Sequence, residues 1–122
     1  MAPEREPLSR ALGSLQRVLR ERKLTISAAE SCTGGLVCAA LTELPGSSDY
    51  FLGGVVTYAN RAKVKQLGVD QETLDRVGAV SHEVAEQMVR GVKALFGSDI
   101  ALSVTGVAGP GADGPKPAGL TY

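Results

Sequence analysis

An α/β domain with helices on both faces of a sheet is the fold class this sequence predicts. Three features carry the prediction. Short β-type apolar runs alternate with stretches of helical spacing along the chain. The 122 residues suffice for one domain with a core, but not for two. Hydrophobic residues make up 43%, which excludes a disordered chain.

Each element has its own signal. Leu8, Leu12, Leu15 and Leu19 mark an amphipathic first helix. Its other face carries Arg10, Arg17, Arg20 and Arg22 and reads as solvated, partly offset by Glu4, Glu6 and Glu21. Leu24-Thr25-Ile26-Ser27-Ala28 alternates as a short strand, and Leu36, Val37, Ala40, Leu41 and Leu44 follow at helical spacing. After the turn-like Pro45-Gly46-Ser47-Ser48, a second strand is expected over Gly54-Val55-Val56-Thr57-Tyr58. Asn60 reads as the cap of a short helix through Lys63 and Leu67, and Asp70 as the cap of another through Leu74. Ser81 caps the clearest helix, with Val84, Met88, Val92 and Leu95 as one stripe and Gly97 as its stop. Ile100-Ala101-Leu102-Ser103-Val104 is a buried-type strand, followed by an irregular Gly- and Pro-rich loop from Gly106 to Gly119. Gly119-Leu120-Thr121-Tyr122 reads as the opening of a strand, expected to enter the sheet beside Ile100–Val104. The sequence thus reads as incomplete at its C-terminus, with a sheet edge and apolar faces left open to water.

Composition excludes several functions. Thirteen Lys and Arg balance thirteen Asp and Glu, so no broad polyanion-binding surface is expected. Aromatics are 4%, too few for base-stacking platforms, so nucleic acid is not an expected partner. No apolar run approaches the ~18 residues of a membrane span, and no signal-peptide core follows the N-terminus. Cys32 and Cys38 have no further partners for a zinc motif and read as reduced, cytosolic thiols.

The candidate chemistry begins at Ala29-Glu30-Ser31-Cys32-Thr33-Gly34-Gly35, where a strand gives way to a helix. Ser31 stands beside N–H groups that the next helix leaves unpaired, as a nucleophile with ready donors would. An N-cap role for Ser31 or Thr33 is the commoner use of a hydroxyl there, and the segment alone leaves both open. Gly109-Pro110-Gly111-Ala112-Asp113-Gly114 matches a dinucleotide fingerprint, but Pro115 and Pro117 cannot open the required helix. The phosphate-loop pattern also fails, with Pro115 where Lys should stand. The loop can still wrap a ligand through its backbone, although a plain surface loop fits equally well. Tyr58 and Lys63 are five apart, not the four of a helical Tyr–Lys pair. His82, the single histidine, follows Ser81 too closely for a dyad. A serine enzyme here therefore needs a base other than histidine, and Lys63 is the natural candidate.

The Ser31 segment, Pro45-Gly46-Ser47-Ser48, Gly54 to Lys63, Gly78-Ala79-Val80-Ser81 and Ser103 to Pro110 together resemble the C-terminal domain of the CinA family. The blocks run in order from about residue 6 to the end. With no upstream domain in the sequence, the likeness is to the stand-alone nicotinamide-nucleotide amidohydrolases (the PncC type). The resemblance implies a three-layer α/β/α sandwich around a mixed sheet, as a single domain over 1–122 lacking its C-terminal strand and closing helix. It implies hydrolysis of nicotinamide mononucleotide to nicotinate mononucleotide and ammonia, a salvage step, without metal or cofactor, in a self-associating protein expected to be a homodimer. By position, Ser31 matches the proposed nucleophile and Lys63 the proposed base, with Tyr58 as a third catalytic candidate. Thr105, Gly106, Gly109 and Pro110 match the pocket-lining segment, and Thr33, Gly34, Gly35 and Asn60 are expected beside them in substrate binding. A second hypothesis is a nucleotide-binding or regulatory module without turnover. Its ligand phosphate would suit Lys63, Arg61 or the N–H groups of Gly34 and Gly35.

Overall fold

In the computed structural model, which describes residues 6–122, five helices flank a three-stranded sheet. The elements run α1 (Glu6–Arg22), β1 (Ile26–Glu30), α2 (Leu36–Leu41), β2 (Phe51–Val56), α3 (Asn60–Leu67), α4 (Gln71–Val77), α5 (His82–Phe96) and β3 (Ile100–Val104). The strand order is β2-β1-β3, and both pairings are parallel. Parallel neighbours require crossover connections, which the intervening helices supply.

The central strand β1 separates two apolar layers. Ile26 and Ala28 pack with Leu12, Leu19, Leu41 and Tyr50 on the side of α1 and α2. Ala29 packs with Leu67, Val69, Leu74, Val84, Met88 and Val92 on the side of α3, α4 and α5. Helices on both faces give the three layers that the resemblance implies. All five β1 residues are buried, so this strand lacks the period-2 alternation of a half-exposed one. That explains the shift from the expected Leu24–Ala28. Thr25, which looked like strand, instead clasps Asp99: its N–H and hydroxyl both reach Oδ2, at 2.8 and 3.0 Å. β2 also begins earlier than expected and ends at Val56, leaving Thr57 and Tyr58 beyond it.

Three local expectations are corrected. Ala59, not Asn60, is the N-cap residue of α3, and Asn60 is its first helical residue. Leu95 is 52% exposed, so the buried stripe of α5 is Val84, Met88 and Val92. Leu120 to Tyr122 pair not with β3 but with the residues just after it. Tyr122 N–H donates to Thr105 O at 2.8 Å and Val107 N–H to Leu120 O at 2.9 Å, an antiparallel return. The loop turns at Asp113–Lys116, and the antiparallel register sets Tyr122 opposite Thr105, so residues 120–122 face the segment that follows β3. Ser81 does cap α5, accepting from Val84 N–H at 3.2 Å, and Gly97 ends it at φ 65°. An apolar groove of about 390 Å³ between α1 and α2, lined by Leu8, Leu12, Leu36 and Leu102 among others, is open to solvent.

The closest helix contact tests the packing. A Cβ on Gly91 of α5 would fall on the carbonyl oxygen of Leu67, whereas one on Gly13 of α1 meets nothing. Alanine adds ~1 kcal/mol of helix propensity at either position. Overpacking costs ~1–3 kcal/mol, toward the upper end where backbone is the obstacle. Gly91→Ala should therefore lower the melting temperature while Gly13→Ala raises it. Equal upward shifts would show that α3 and α5 do not depend on this approach.

Candidate functional site

Ser31 lies one residue past β1, in a turn that two glycines make possible. Gly34 and Gly35 have φ of 62° and 116°, values side chains disfavour. Gly34 N–H returns to Ser31 O at 3.1 Å and Leu36 N–H to Thr33 O at 3.1 Å. Neither Ser31 nor Thr33 caps α2. Its N-cap residue is Gly35, and the capping group is the carboxylate of Glu30. Glu30 Oε1 accepts from Thr33 Oγ1 (2.6 Å), Gly35 N–H (3.0 Å) and Val37 N–H (3.0 Å), and Oε2 from Cys38 N–H (2.8 Å). Burial alone would raise the Glu30 pKa. The donated bonds from Thr33, Cys38 and Val37 outweigh it and hold the group down from 4.5 to about 2. Cys38, beside that carboxylate, is pushed up to about 12 by burial and then by Glu30's bond and charge. Its thiol is no nucleophile at neutral pH.

Lys63 is the fourth residue of α3, turned inward, and only 1% exposed. Its Nζ donates to Thr57 O at 2.6 Å and Tyr58 O at 3.1 Å, and lies 2.9 Å from Ser31 Oγ. Thr57 is held in turn by Glu30 O, which accepts its N–H at 2.8 Å and its hydroxyl at 3.3 Å. Burial pushes the lysine pKa below its ordinary 10.5, with an electrostatic effect of Cys32 acting the other way. A neutral amine has two N–H groups and one lone pair. In that form the two carbonyls would take the N–H groups and the lone pair would face the Ser31 hydroxyl.

A cleft of about 170 Å³ opens onto this pair, with Ala79, Val80, Thr105 and Gly106 in its other walls. Thr105 is 1% exposed and donates its hydroxyl to Ala79 O at 2.9 Å, bracing two of those walls. Among the sequence-derived residues the cleft gathers Ser31, Lys63, Tyr58, Thr105 and Gly106. Tyr58 contributes its carbonyl to Lys63, while its side chain is largely exposed. Thr33, Gly34, Gly35, Asn60, Gly109 and Pro110 are not in the cleft wall. The Thr33 hydroxyl and the Gly34 and Gly35 N–H groups are already bonded within the turn and to Glu30, so they cannot seat a phosphate. The N–H groups of Cys32 and Thr33 have no acceptor among the described residues. Sequence reasoning missed Glu30, Thr57 and the Ala79–Val80 wall. For Glu30 the available signal was a carboxylate five residues before a Gly with helix beyond it.

The lowered Glu30 pKa has a defined consequence for stability. Its contribution is fully present above the unfolded value of 4.5 and disappears as pH falls through about 2. The shift corresponds to ~3 kcal/mol. Urea denaturation across that window should show a steep acid loss in the native chain and a flatter one in Glu30→Gln. Parallel curves would remove Glu30 from the acid transition.

The sequence profile of the CinA C-terminal domain matches residues 9–122. A CinA-like protein of Chlorobium limicola is 56% identical over 104 residues, 84% of this chain and 24% of the relative. A CinA-like protein of Geotalea uraniireducens is 52% identical over 122 residues, 99% of this chain and 28% of the relative. The chain thus spans about a quarter of the length of the curated relatives it matches. Among solved structures, competence/damage inducible protein CihA from Agrobacterium tumefaciens superposes with a TM-score of 0.90 at 43% identity, covering 93% of this chain and 70% of that one. A competence-damaged protein (CinA) superfamily protein from Escherichia coli gives 0.89 at 33% identity, covering 98% and 69%.

Proposed function

The chain belongs to the CinA C-terminal domain family, and from that premise we propose that it is a Ser–Lys amidohydrolase acting on nicotinamide mononucleotide. The observation that carries the reading is the buried Lys63 amine 2.9 Å from Ser31 Oγ. Neutral Lys63 takes the hydroxyl proton as Ser31 Oγ attacks the carboxamide carbon, and the carbonyl oxygen becomes an oxyanion. The Cys32 and Thr33 N–H groups, open and adjacent to Ser31 in the chain, are the candidate donors to that oxygen. Lys63 then gives its proton to the departing nitrogen, the C–N bond breaks, and ammonia leaves. Water, deprotonated by the same amine, hydrolyses the acyl-serine to nicotinate mononucleotide and restores Ser31.

The cleft fits part of the substrate. Pockets that enclose a whole drug-sized ligand run from ~300 Å³ upward. At about 170 Å³ this one suits the pyridine ring and its carboxamide, with ribose and phosphate projecting outward. Arg61, exposed at the start of α3, is the remaining cation from the sequence reading that can meet the phosphate.

Ammonia release from nicotinamide mononucleotide, measured beside saturable binding, tests the proposal. Ser31→Ala should abolish release while preserving the circular dichroism spectrum, and undiminished turnover would sink the nucleophile assignment. Binding without ammonia in the native chain would leave a nucleotide-binding module. Lys63→Met should lower kcat by ~10²–10⁴. Because burial lowers the lysine pKa, kcat/KM should fall on the acid side as Lys63 protonates, at a midpoint below 10.5. A midpoint at the ordinary lysine value would show that burial does not lower the pKa of the base, and an acid limb unchanged in Lys63→Met would exclude Lys63 as its source.

A further inference from the structure

We infer that Glu30 is a positioning residue of this site: its carboxylate fixes the Ser31–Gly34 turn so that the Ser31 hydroxyl and the Cys32 and Thr33 N–H groups stay free for chemistry. The inference rests on the Ser31–Lys63 reading above. Ser31 and Thr33 are the residues whose hydroxyls would ordinarily cap a helix starting here. A capping serine would have its oxygen committed to a backbone N–H. Glu30 removes that competition, because its two oxygens take the Thr33 hydroxyl and the N–H groups of Gly35, Val37 and Cys38. The start of α2 is thereby closed to any outside anion, and the remaining open donors lie in the turn beside the nucleophile.

A plain cap does not account for the choice of residue. Glu30 is fully buried and makes no ion pair among the described residues, so its charge is balanced by donated bonds alone. Burying a carboxylate is more costly than burying the hydroxyls available one and three residues later. The residue also reaches the base. Its carbonyl oxygen accepts the Thr57 N–H and hydroxyl, and the Thr57 carbonyl holds Lys63 Nζ at 2.6 Å. One residue thus holds the nucleophile's turn through its side chain and the base's cradle through its main chain.

Two variants separate positioning from capping. Glu30→Gln keeps the size but sets an amide N–H₂ against a backbone donor, and Thr33→Val deletes only the hydroxyl bond. The measurements are the rate of Ser31 modification by a fluorophosphonate, kcat and KM for nicotinamide mononucleotide, the pH profile and the melting temperature. Glu30→Gln should lower the labelling rate and kcat together by ~10–100-fold, short of the ~10²–10³ for losing an oxyanion donor outright. KM should change by less than about twofold, the pattern of an interaction realised in the transition state. The acid limb set by Lys63 should not move. Thr33→Val should go the same way by a few-fold with unchanged melting. Variants that melt lower but label and turn over at native rates would reduce Glu30 to a cap and overturn the inference. A native chain whose Ser31 is labelled but which releases no ammonia would refute the substrate alone, and the labelling rates would still decide the role of Glu30. A native Ser31 that resists the probe would overturn both.

Discussion

Burial of the Lys63 amine is the constraint from which the rest of the site follows. An ammonium taken out of water loses hydration that an opposite charge best replaces. Lys63 has no carboxylate partner among the described residues and finds two carbonyls and one hydroxyl. Burial without an opposite charge lowers its pKa and so shifts the balance toward the neutral amine, the form able to take a proton from a neighbouring hydroxyl. That environment needs α3 to start where it does, directly after Thr57 and Tyr58 have turned their carbonyls inward. It also needs β1 and β2 paired, since Glu30 O holds Thr57 in place.

Glu30 is the opposite case at the other end of the same network. It is as buried as Lys63, yet its pKa moves against the direction that burial dictates. Four donated hydrogen bonds make the difference, since bonds to the charged form of a group can outweigh its desolvation. Two ionisable groups, one next to Ser31 in sequence and one 32 residues away but in hydrogen-bond contact with it, are thus biased toward opposite states of charge by what surrounds them. The carboxylate is kept ionised by its donors, while burial without an opposite charge biases the amine toward its neutral, basic form.

What could be read in the sequence follows from how local each signal is. Ile100–Val104 and the Ser81-capped α5 were legible because a cap, a stripe and a stop all lie within one short window. β1 was misplaced because a strand buried on both faces, built from Ser and Ala, carries no alternation to set its ends. Ser31 and Lys63 stood out through the strand-to-helix corner and the shortage of histidine, and the likeness to CinA domains linked them. Glu30 was invisible as a functional group, since the bonds that define it reach five to eight residues ahead and depend on a two-glycine turn. Gly34 and Gly35 were misread for the same reason. Their value lies in their backbone angles, and their N–H groups are spent inside the turn.

The cleft lies where an open parallel sheet places ligands, at the carboxyl ends of its strands. β1 delivers Ser31, the segment after β2 leads to Lys63, and the segment after β3 supplies Thr105 and Gly106. That far wall leads into a long glycine-rich loop, which by composition is a poor place to build a precise surface. Hydrogen bonding resolves the difficulty. Thr105 is fixed by Ala79 O and by two backbone bonds to Tyr122, and Lys116 reaches across to Val77 O at 2.7 Å. The loop is therefore tied at both ends to the α4–α5 turn and to its own return segment. Its irregular middle lies outside the wall, so the freedom that glycine gives there does not pass to the residues facing Ser31.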